Sequence, residues 1–322
     1  MSFAYQNPIW PGYLADPFIL RHEGVYYAYG TGSSGGNVPA GTGVFPLLRS
    51  PNLVDWEDLG GVLQRPNDGV DRAYWAPEVA ERGGQFFLYY SRAPAGQDER
   101  HRLRVAVAGS PTGPFVDQGE VLPADEGFSI DAHPFRDPRD QRWYLFFARD
   151  YFDERVGTGI AVAPLADSMT RTDGPSRPVL RADNDWQIYQ RNRQIYGREW
   201  TAWHTVEGPS VVYHDDRYWC FYSGGNWQTR DYGVSYGVAD HPLGPWRHAD
   251  APHSRVLQER PGEVLGPGHN SVTTTPDGRT PLIVYHAWDP AATARRICID
   301  PLVWTKDGPR CAGPSTGRQL IG

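Results

Sequence analysis

Five short aromatic segments recur along this chain of 322 residues, almost from one end to the other. They are Val25–Tyr29, Gln85–Tyr90, Arg142–Phe147, Arg217–Tyr222 and Thr280–Tyr285. Alternating aromatic and β-branched residues in runs of this length are typical of β-strands. One unit repeated at such intervals is the sequence signature of a repeat architecture, in which equivalent segments stack on one another. The chain is therefore predicted to fold as repeated β units.

An acidic residue or a histidine stands shortly ahead of each aromatic segment. These leading residues are Asp16, Glu78, Asp131, Glu207 and His269. A repeated unit arranged in a closed ring places equivalent positions at equal distances from the centre. We therefore predict an all-β, five-bladed β-propeller, a single domain spanning residues 1–322, with blades opening near residues 16, 78, 131, 207 and 269. In each blade the leading segment is the innermost strand and the aromatic segment is the second.

The composition favours many short strands over long helices. The 36 Gly and 29 Pro residues supply turns at short intervals. Three cysteines, Cys220, Cys298 and Cys311, are too few and too scattered for a disulfide framework or a zinc site, so free thiols are expected.

The charge pattern excludes several classes of partner. The net charge is only −7, Lys306 is the single lysine and no basic stripe occurs, so nucleic acid is not an expected partner. No apolar run approaches the length of a membrane span, and the N-terminal residues resemble no secretion signal. We expect a cytoplasmic protein that binds neither nucleic acid nor membranes. The 12 Trp and 18 Tyr residues suit ligands that present C–H faces, such as sugars.

Three of the leading acids lie among small, apolar or proline residues. Asp16, Asp131 and Glu207 are each flanked in this way, where an exposed charge would more often have polar neighbours. Converging acids push one another's pKa values apart. Two opposed carboxylates are what hydrolysis of a glycosidic bond requires, one activating water or attacking the sugar and the other protonating the leaving oxygen. Glu207 suits the acid, Asp16 the base, and Asp131 would hold Glu207 and raise its pKa.

Several motifs together resemble glycoside hydrolase family 43. Ala15-Asp16-Pro17 is similar to the segment that carries the family's general base, Ile130-Asp131 to that of its pKa-modulating aspartate, and Glu207-Gly208-Pro209 to that of its general acid. The resemblance covers residues 7–314. It implies a five-bladed propeller that hydrolyses glycosides with inversion of anomeric configuration, so that Asp16 would activate a water molecule.

The resemblance also implies a set of substrate-binding residues. Trp75, in Tyr74–Glu78, would line the sugar site, and His269, in Gly266–Ser271, would lie on the propeller axis. In many members that histidine is near a calcium ion or an ordered water, so His269 is a candidate metal neighbour through water and a structural calcium on the axis stays open. No cofactor is required. Arg296, just before the last strand of the repeat, is the candidate for a sugar-contacting arginine.

The expected activity is that of an inverting, exo-acting α-L-arabinofuranosidase that trims arabinose from arabino-oligosaccharides. A β-xylosidase or an exo-galactanase of the same family stays open as an alternative, with xylo-oligosaccharides among its substrates. A non-catalytic sugar-binding propeller is the alternative from another class. The aromatic segment from Asp183 to Trp203 is expected to form a wall of the central pocket.

Overall fold

The computed structural model describes residues 3–33, 43–66, 70–124, 126–249 and 255–321, and shows five antiparallel sheets in a ring. The first strand, β1 (Phe3–Tyr5), is followed by blade 1 with β2 (Ala15–His22), β3 (Val25–Thr31), β4 (Val44–Ser50) and β5 (Glu57–Leu63), and by blade 2 with β6 (Arg72–Arg82), β7 (Gln85–Pro94), β8 (Arg102–Ala108) and β9 (Val116–Leu122). Blade 3 contains β10 (Ser129–Arg136), β11 (Trp143–Tyr151), β12 (Gly157–Pro164) and β13 (Arg177–Leu180), and is extended by the hairpin β14 (Ile188–Ile195) and β15 (Arg198–His204). Blade 4 contains β16 (Val206–His214), β17 (Arg217–Gly224), β18 (Gly233–Ala239) and β19 (Arg247–His248), blade 5 contains β20 (Leu265–Thr274), β21 (Pro281–Trp288), β22 (Arg295–Thr305) and β23 (Gly308–Cys311), and β24 (Gln319–Ile321) ends the chain.

The five-bladed β-propeller predicted from the repeat is confirmed. The aromatic segments form the second strands β3, β7, β11, β17 and β21, each paired with the innermost strand of its blade. The described helices are two 3₁₀ turns, at Asp98–Arg100 and Asp185–Gln187. No helix in the described part of the chain is long and apolar enough to cross a membrane.

Five apolar clusters form the core, one at each interface between neighbouring blades. The second strands are buried on both faces because each blade packs between two others, which explains why they read as nearly continuous aromatic runs. Cys220 and Cys298 are buried free thiols within these clusters, and Cys311 is a partly buried free thiol, as the sequence predicted.

The N-terminal segment closes the ring between blades 5 and 1. The Asn7 side chain donates to the Ile299 carbonyl and accepts from the Ile299 amide, both at 2.8 Å. Further along, the Ile9 amide donates to the carbonyl of Ile297 at 3.0 Å. Just before this segment, β1 pairs with β24, so the first and last described strands meet. Closure removes exposed strand edges at this seam.

Each innermost strand contains a β-bulge at which its pairing with the second strand shifts register. The bulged residues have positive φ: Asp16 (50°), Ala76 (48°), Asp131 (58°), Gly208 (55°) and His269 (48°). The sequence had predicted Glu78 and Glu207 as the equivalents of Asp16, and the structure corrects both. Ala76 and Gly208 occupy those positions, because the spacing of aromatic strands does not reveal where a bulge adds a residue.

A side chain from the preceding blade holds four of the five bulges. The donor and acceptor pairs are Ala76 N to Thr31 Oγ1 (2.9 Å), Asp131 N to Ser91 Oγ (3.1 Å), His269 N to Ser223 Oγ (2.7 Å) and Asp16 N to His286 Nδ1 (3.1 Å). Blade 3 has Ala148 at the equivalent place, opposite Ile130, and alanine cannot accept a hydrogen bond. The Gly208 amide donates instead to Asp131 Oδ2 at 3.0 Å. A missing acceptor in blade 3 thus ties Asp131 to the innermost strand of blade 4.

Replacing Asp300 with alanine is expected to destabilise the closed ring by about 2–4 kcal/mol, because buried donors would lose their acceptor. The buried Asp300 carboxylate accepts from the hydroxyls of Tyr5 (2.9 Å) and Tyr285 (2.7 Å) and from the Ser315 amide (3.1 Å). Urea unfolding would measure the change. The control is Asp307→Ala on an exposed turn, expected within about 0.5 kcal/mol of the parent. Equal losses in both variants would contradict this account of closure.

Candidate active site

A cavity of about 610 Å³ opens on the propeller axis where the innermost strands begin. Asp16, Asp131 and Glu207 all line it, so the three distant acids converge as predicted. Trp75 and His269 line it as well. Each of these residues lies at a bulge or directly before one, and the bulge turns the side chain out of the regular alternation towards the axis.

Asp16 is buried and surrounded by donors. Its Oδ1 accepts from Arg295 Nη1 at 3.1 Å, and its Oδ2 accepts from the Thr31 hydroxyl at 2.7 Å. Burial alone would raise the pKa of Asp16, but the charge of Arg295, followed by His269, outweighs burial and holds this pKa well below the usual value. Asp16 is therefore ionised at neutral pH and can accept a proton from water.

Glu207 lies in the opposite electrostatic situation. Burial is the largest cause that raises its pKa, and the charge of Asp16 adds to it, while a hydrogen bond from Tyr232 opposes the increase. The result is a pKa of about 7. The Tyr232 hydroxyl donates to Glu207 Oε1 at 2.9 Å. Glu207 thus retains its proton into the neutral range, where a carboxylic acid can protonate a leaving group.

Asp131 lies close enough to Glu207 for the two charges to interact. Burial first, and then the charges of Glu207 and Asp16, raise its pKa well above the usual value, against the Gly208 hydrogen bond. The charge of Glu207 thus adds to burial in favouring the protonated form of Asp131. For Glu207 itself, burial and the charge of Asp16 are the principal causes, and the sequence had attributed the shift to Asp131.

Two histidines support the site from blade 5. His269 Nδ1 lies 3.5 Å from Asp16 Oδ1 and 4.0 Å from Asp131 Oδ2. His286 Nδ1 accepts from the Asp16 amide, so this nitrogen carries no proton. Burial lowers the pKa of His286 to about 4, which keeps the ring neutral.

The described residues contain no group of three or more His, Cys, Asp or Glu side chains that could hold a metal ion. Calcium prefers six to eight oxygen ligands, and around His269 the nearby carboxylate oxygens are already bound to Arg295, Thr31 and the Gly208 amide. Side chains in the described residues thus provide no cage for calcium beside His269, and an axial calcium stays a prediction.

Glu78 does not reach the cavity. Its carboxylate is paired with His133 Nδ1 at 2.7 Å, and His133 Nε2 accepts from the Val211 amide at 3.0 Å. Because Nε2 is an acceptor, Nδ1 carries the proton and donates to Glu78. This buried pair links blades 2, 3 and 4.

Arg296, which the sequence predicts as the sugar-contacting arginine, lies outside the cavity. Arg296 pairs with Asp289 at 3.0 Å and does not line the cavity, whereas Arg295 does. Successive residues of a strand face opposite sides, so a shift of one residue exchanges the two arginines. Arg295 also donates to the Tyr13 hydroxyl at 3.1 Å and lies 4.3 Å from the centre of the Trp227 ring.

Trp75 forms an aromatic side of the cavity. Its ring stacks on the buried His101 ring with centroids 3.6 Å apart, and both nitrogens of that histidine lack a hydrogen-bond partner in the described structure. Burial lowers the pKa of His101 to about 3, so it is neutral. A neutral ring beneath Trp75 fixes the plane of the indole against which a sugar face can pack.

The β14–β15 hairpin forms a further wall of the cavity, as predicted for the segment from Asp183 to Trp203. Tyr189, Arg193, Tyr196 and Trp203 of this hairpin line the cavity. At its tip the Tyr196 hydroxyl donates to Asp150 Oδ2 at 2.5 Å and lies 3.5 Å from the Glu99 carbonyl of blade 2. The hairpin therefore extends from blade 3 towards the loop of blade 2 and bounds one side of the cavity.

Comparison with known proteins agrees with this geometry. The model of "Glycosyl hydrolases family 43" matches residues 5–309. The chain is 28% identical to a β-D-galactofuranosidase of Aspergillus niger, over 94% of this chain and 83% of that protein. It is 29% identical to an extracellular exo-α-(1→5)-L-arabinofuranosidase of Streptomyces chartreusis, over 88% of this chain and 82% of that protein. The crystal structure of a thermostable family-43 glycoside hydrolase superposes with a TM-score of 0.81 at 30% identity, covering 98% of both chains.

Tyr232→Phe is expected to raise the pKa of Glu207 above its value of about 7. The hydrogen bond from the Tyr232 hydroxyl stabilises the ionised carboxylate, and the variant lacks this hydrogen bond. Carboxyl ¹³C NMR titration of glutamate-labelled protein would measure the shift. Tyr213→Phe is the matched control, because that hydroxyl donates to Asp216 in a turn outside the cavity. A Glu207 pKa that stays constant or falls in Tyr232→Phe would refute the assigned role of the hydroxyl.

Proposed function

The chain belongs to glycosyl hydrolases family 43, and from this premise we propose that it is an inverting, exo-acting α-L-arabinofuranosidase. The observation that carries the proposal is the pair of opposed charge states in one cavity. The pKa of Asp16 is held low, while that of Glu207 is raised to about 7. Asp16 would remove a proton from the attacking water, and Glu207 would protonate the departing glycosidic oxygen.

The remaining groups of the floor support these two roles. Arg295 and Thr31 each donate a hydrogen bond to one oxygen of Asp16, and these two bonds fix the orientation of the carboxylate towards the attacking water. Asp131 accepts from the amide of Gly208, directly after Glu207 in the chain, and so positions the backbone beside the acid. Trp75 would pack against the face of the sugar. A sugar-binding module without catalysis would need no such opposed pair.

The shape of the cavity supports exo action. The hairpin bounds one side through Tyr196, and the loop of blade 2 that contains Asp98 and Glu99 lies beside it. A cavity bounded in this way receives the end of a chain more readily than its middle. The similarity to the exo-acting Streptomyces enzyme agrees with this choice.

A second candidate is β-D-galactofuranosidase activity. The α-L-arabinofuranosyl and β-D-galactofuranosyl rings have the same arrangement of ring substituents, and the second sugar differs by a longer exocyclic side chain. The similarity to the Aspergillus galactofuranosidase favours this candidate, and a cavity of about 610 Å³ has room for the extra group. The β-xylosidase and exo-galactanase alternatives derive from the family resemblance alone.

A panel of nitrophenyl glycosides would test the sugar and the roles together. We expect the α-L-arabinofuranoside to be the best substrate, and Asp16→Asn to lower kcat by about 10²–10⁴-fold. Glu207→Gln should lose a similar factor on an arabino-oligosaccharide but less on the aryl substrate, whose leaving group needs little protonation. Early-time proton NMR of the product should show the anomer opposite to that of the substrate. Retained configuration, or full activity of Asp16→Asn, would contradict the mechanism.

The pH dependence follows from the same charge states. Glu207 works in its protonated form, so kcat/KM should fall as pH rises through about 7. Asp16 works in its ionised form, and because its pKa is depressed, the acidic limb should lie below the usual range of aspartate. Glu207→Gln should abolish the alkaline limb while the acidic limb persists. An alkaline limb that survives in Glu207→Gln would assign it to another group.

A further inference from the structure

The guanidinium of Arg193 lies on the hairpin wall, over two aromatic rings. Its Cζ is 4.8 Å from the centre of the Tyr189 ring and 5.0 Å from that of Trp203. Among the described residues it has no hydrogen-bond acceptor and no carboxylate within ion-pair distance, although it lines the cavity. Arg295, the other arginine of the cavity, is already bound to Asp16 and Tyr13.

Stacking on two rings gives this arginine a fixed orientation. Trp203 is 2% exposed and packs against Trp200, which holds its ring in place. A guanidinium that lies against aromatic faces is restricted in plane and keeps its five N–H donors at the edge. The donors of Arg193 are therefore arranged before any ligand arrives, and a ligand in the cavity can satisfy them at little cost in side-chain entropy.

The position of Arg193 within the cavity indicates which part of a substrate it meets. Arg295 is bound to Asp16 and also lowers the pKa of Glu207, more strongly than Arg193 does. Arg193 has no such bond to the base: it lies on the hairpin wall, where its charge acts on Glu207 and on the wall carboxylates Asp98 and Asp150. A general acid donates to the oxygen of the leaving group, so the leaving group must lie beside Glu207. Arg193 consequently faces the leaving group and not the sugar that water attacks.

The charge of the surrounding wall limits the chemistry of that leaving group. Asp98, Glu99 and Asp150 also line the cavity near Arg193. Burial raises the pKa of Asp150, to about 6, so it still carries most of its charge at neutral pH. One cation among several carboxylates does not attract an anionic group such as a uronic acid. A guanidinium edge does match two adjacent hydroxyls, and the aromatic faces match the C–H side of a sugar ring.

We propose that Arg193 is a specificity-determining residue that binds adjacent hydroxyls of a neutral leaving-group sugar, so that the natural substrate is an oligosaccharide. The proposal rests on the proposed function only for the position of the acid, and the choice of sugar in the floor of the cavity does not enter it. Loss of Arg193 then weakens reactions whose leaving group is a sugar more than reactions whose leaving group is an aryl alcohol.

The test compares two substrates in three proteins. The substrates are α-1,5-linked arabinobiose and 4-nitrophenyl α-L-arabinofuranoside, and the proteins are the parent, Arg193→Met and Arg191→Met. Arg191 is an exposed residue of the same strand outside the cavity and serves as the matched control. In Arg193→Met the ratio of kcat/KM for disaccharide over aryl substrate should fall about 10- to 100-fold, as expected for lost charge-assisted hydrogen bonds. In Arg191→Met this ratio should stay at the parent value.

A second measurement separates binding from a purely structural effect. Removal of the cation should move the alkaline limb of the pH profile upwards, because the charge of Arg193 lowers the pKa of Glu207. An unchanged substrate ratio in Arg193→Met overturns the inference, and so does a ratio that falls equally in Arg191→Met.

The outcome is distinguishable from failure of the proposed function. If the parent hydrolyses xylosides or galactofuranosides, the arabinofuranosidase assignment fails, and the same comparison is made with the disaccharide and aryl glycoside of that sugar. If it hydrolyses neither, calorimetric titration of arabinobiose into the parent and Arg193→Met decides. A dissociation constant at least about tenfold weaker in the variant supports the inference, and equal constants overturn it.

Discussion

The backbone bulge in each innermost strand is the feature on which the site depends. It places Asp16, Asp131 and His269 at positive φ, a conformation that costs a non-glycine residue about 1–3 kcal/mol and persists only where the surroundings impose it. Here the surroundings are side chains of the preceding blade, which accept hydrogen bonds from the amides of the bulged residues. The direction of the catalytic side chains therefore depends on closure of the ring. A propeller that did not close would release the bulge of blade 1, whose acceptor, His286, belongs to blade 5.

The same contacts set the charge states. Blade 3 lacks the acceptor that the other blades supply, and Asp131 takes its place by accepting from the Gly208 amide. Asp131 is thereby held beside Glu207, and burial raises the pKa values of both carboxylates, whereas the charge of Arg295 outweighs burial at Asp16 and holds its pKa low. An acid and a base thus coexist in one cavity at one pH because, among the described residues, Arg295 forms its ion pair with Asp16 and not with Glu207.

Much of the fold and the three acids could be predicted from the sequence, and the misplaced residues have a common physical cause. The repeat of aromatic strands carries the blade count, and the apolar flanks of Asp16, Asp131 and Glu207 identify buried carboxylates. The repeat does not reveal the register in which the strands of a blade pair. A bulge adds a residue without a sequence signal, so Glu78 was aligned where Ala76 lies, and strand alternation exchanged Arg296 for Arg295.

Residues that act through long-range contacts were inaccessible for a different reason. Tyr232 reaches Glu207 across blade 4, and His286 of blade 5 reaches Asp16 of blade 1, so neither role can be seen in the local sequence. Among the described strands, the hairpin that contains Arg193 occurs in blade 3 alone, so no repeat could point to it. Features shared by all blades build the ring and hold the catalytic floor. Features confined to one blade, such as this hairpin, bound the cavity, and selectivity for the leaving group is therefore expected to depend on the irregular parts of an otherwise repetitive chain.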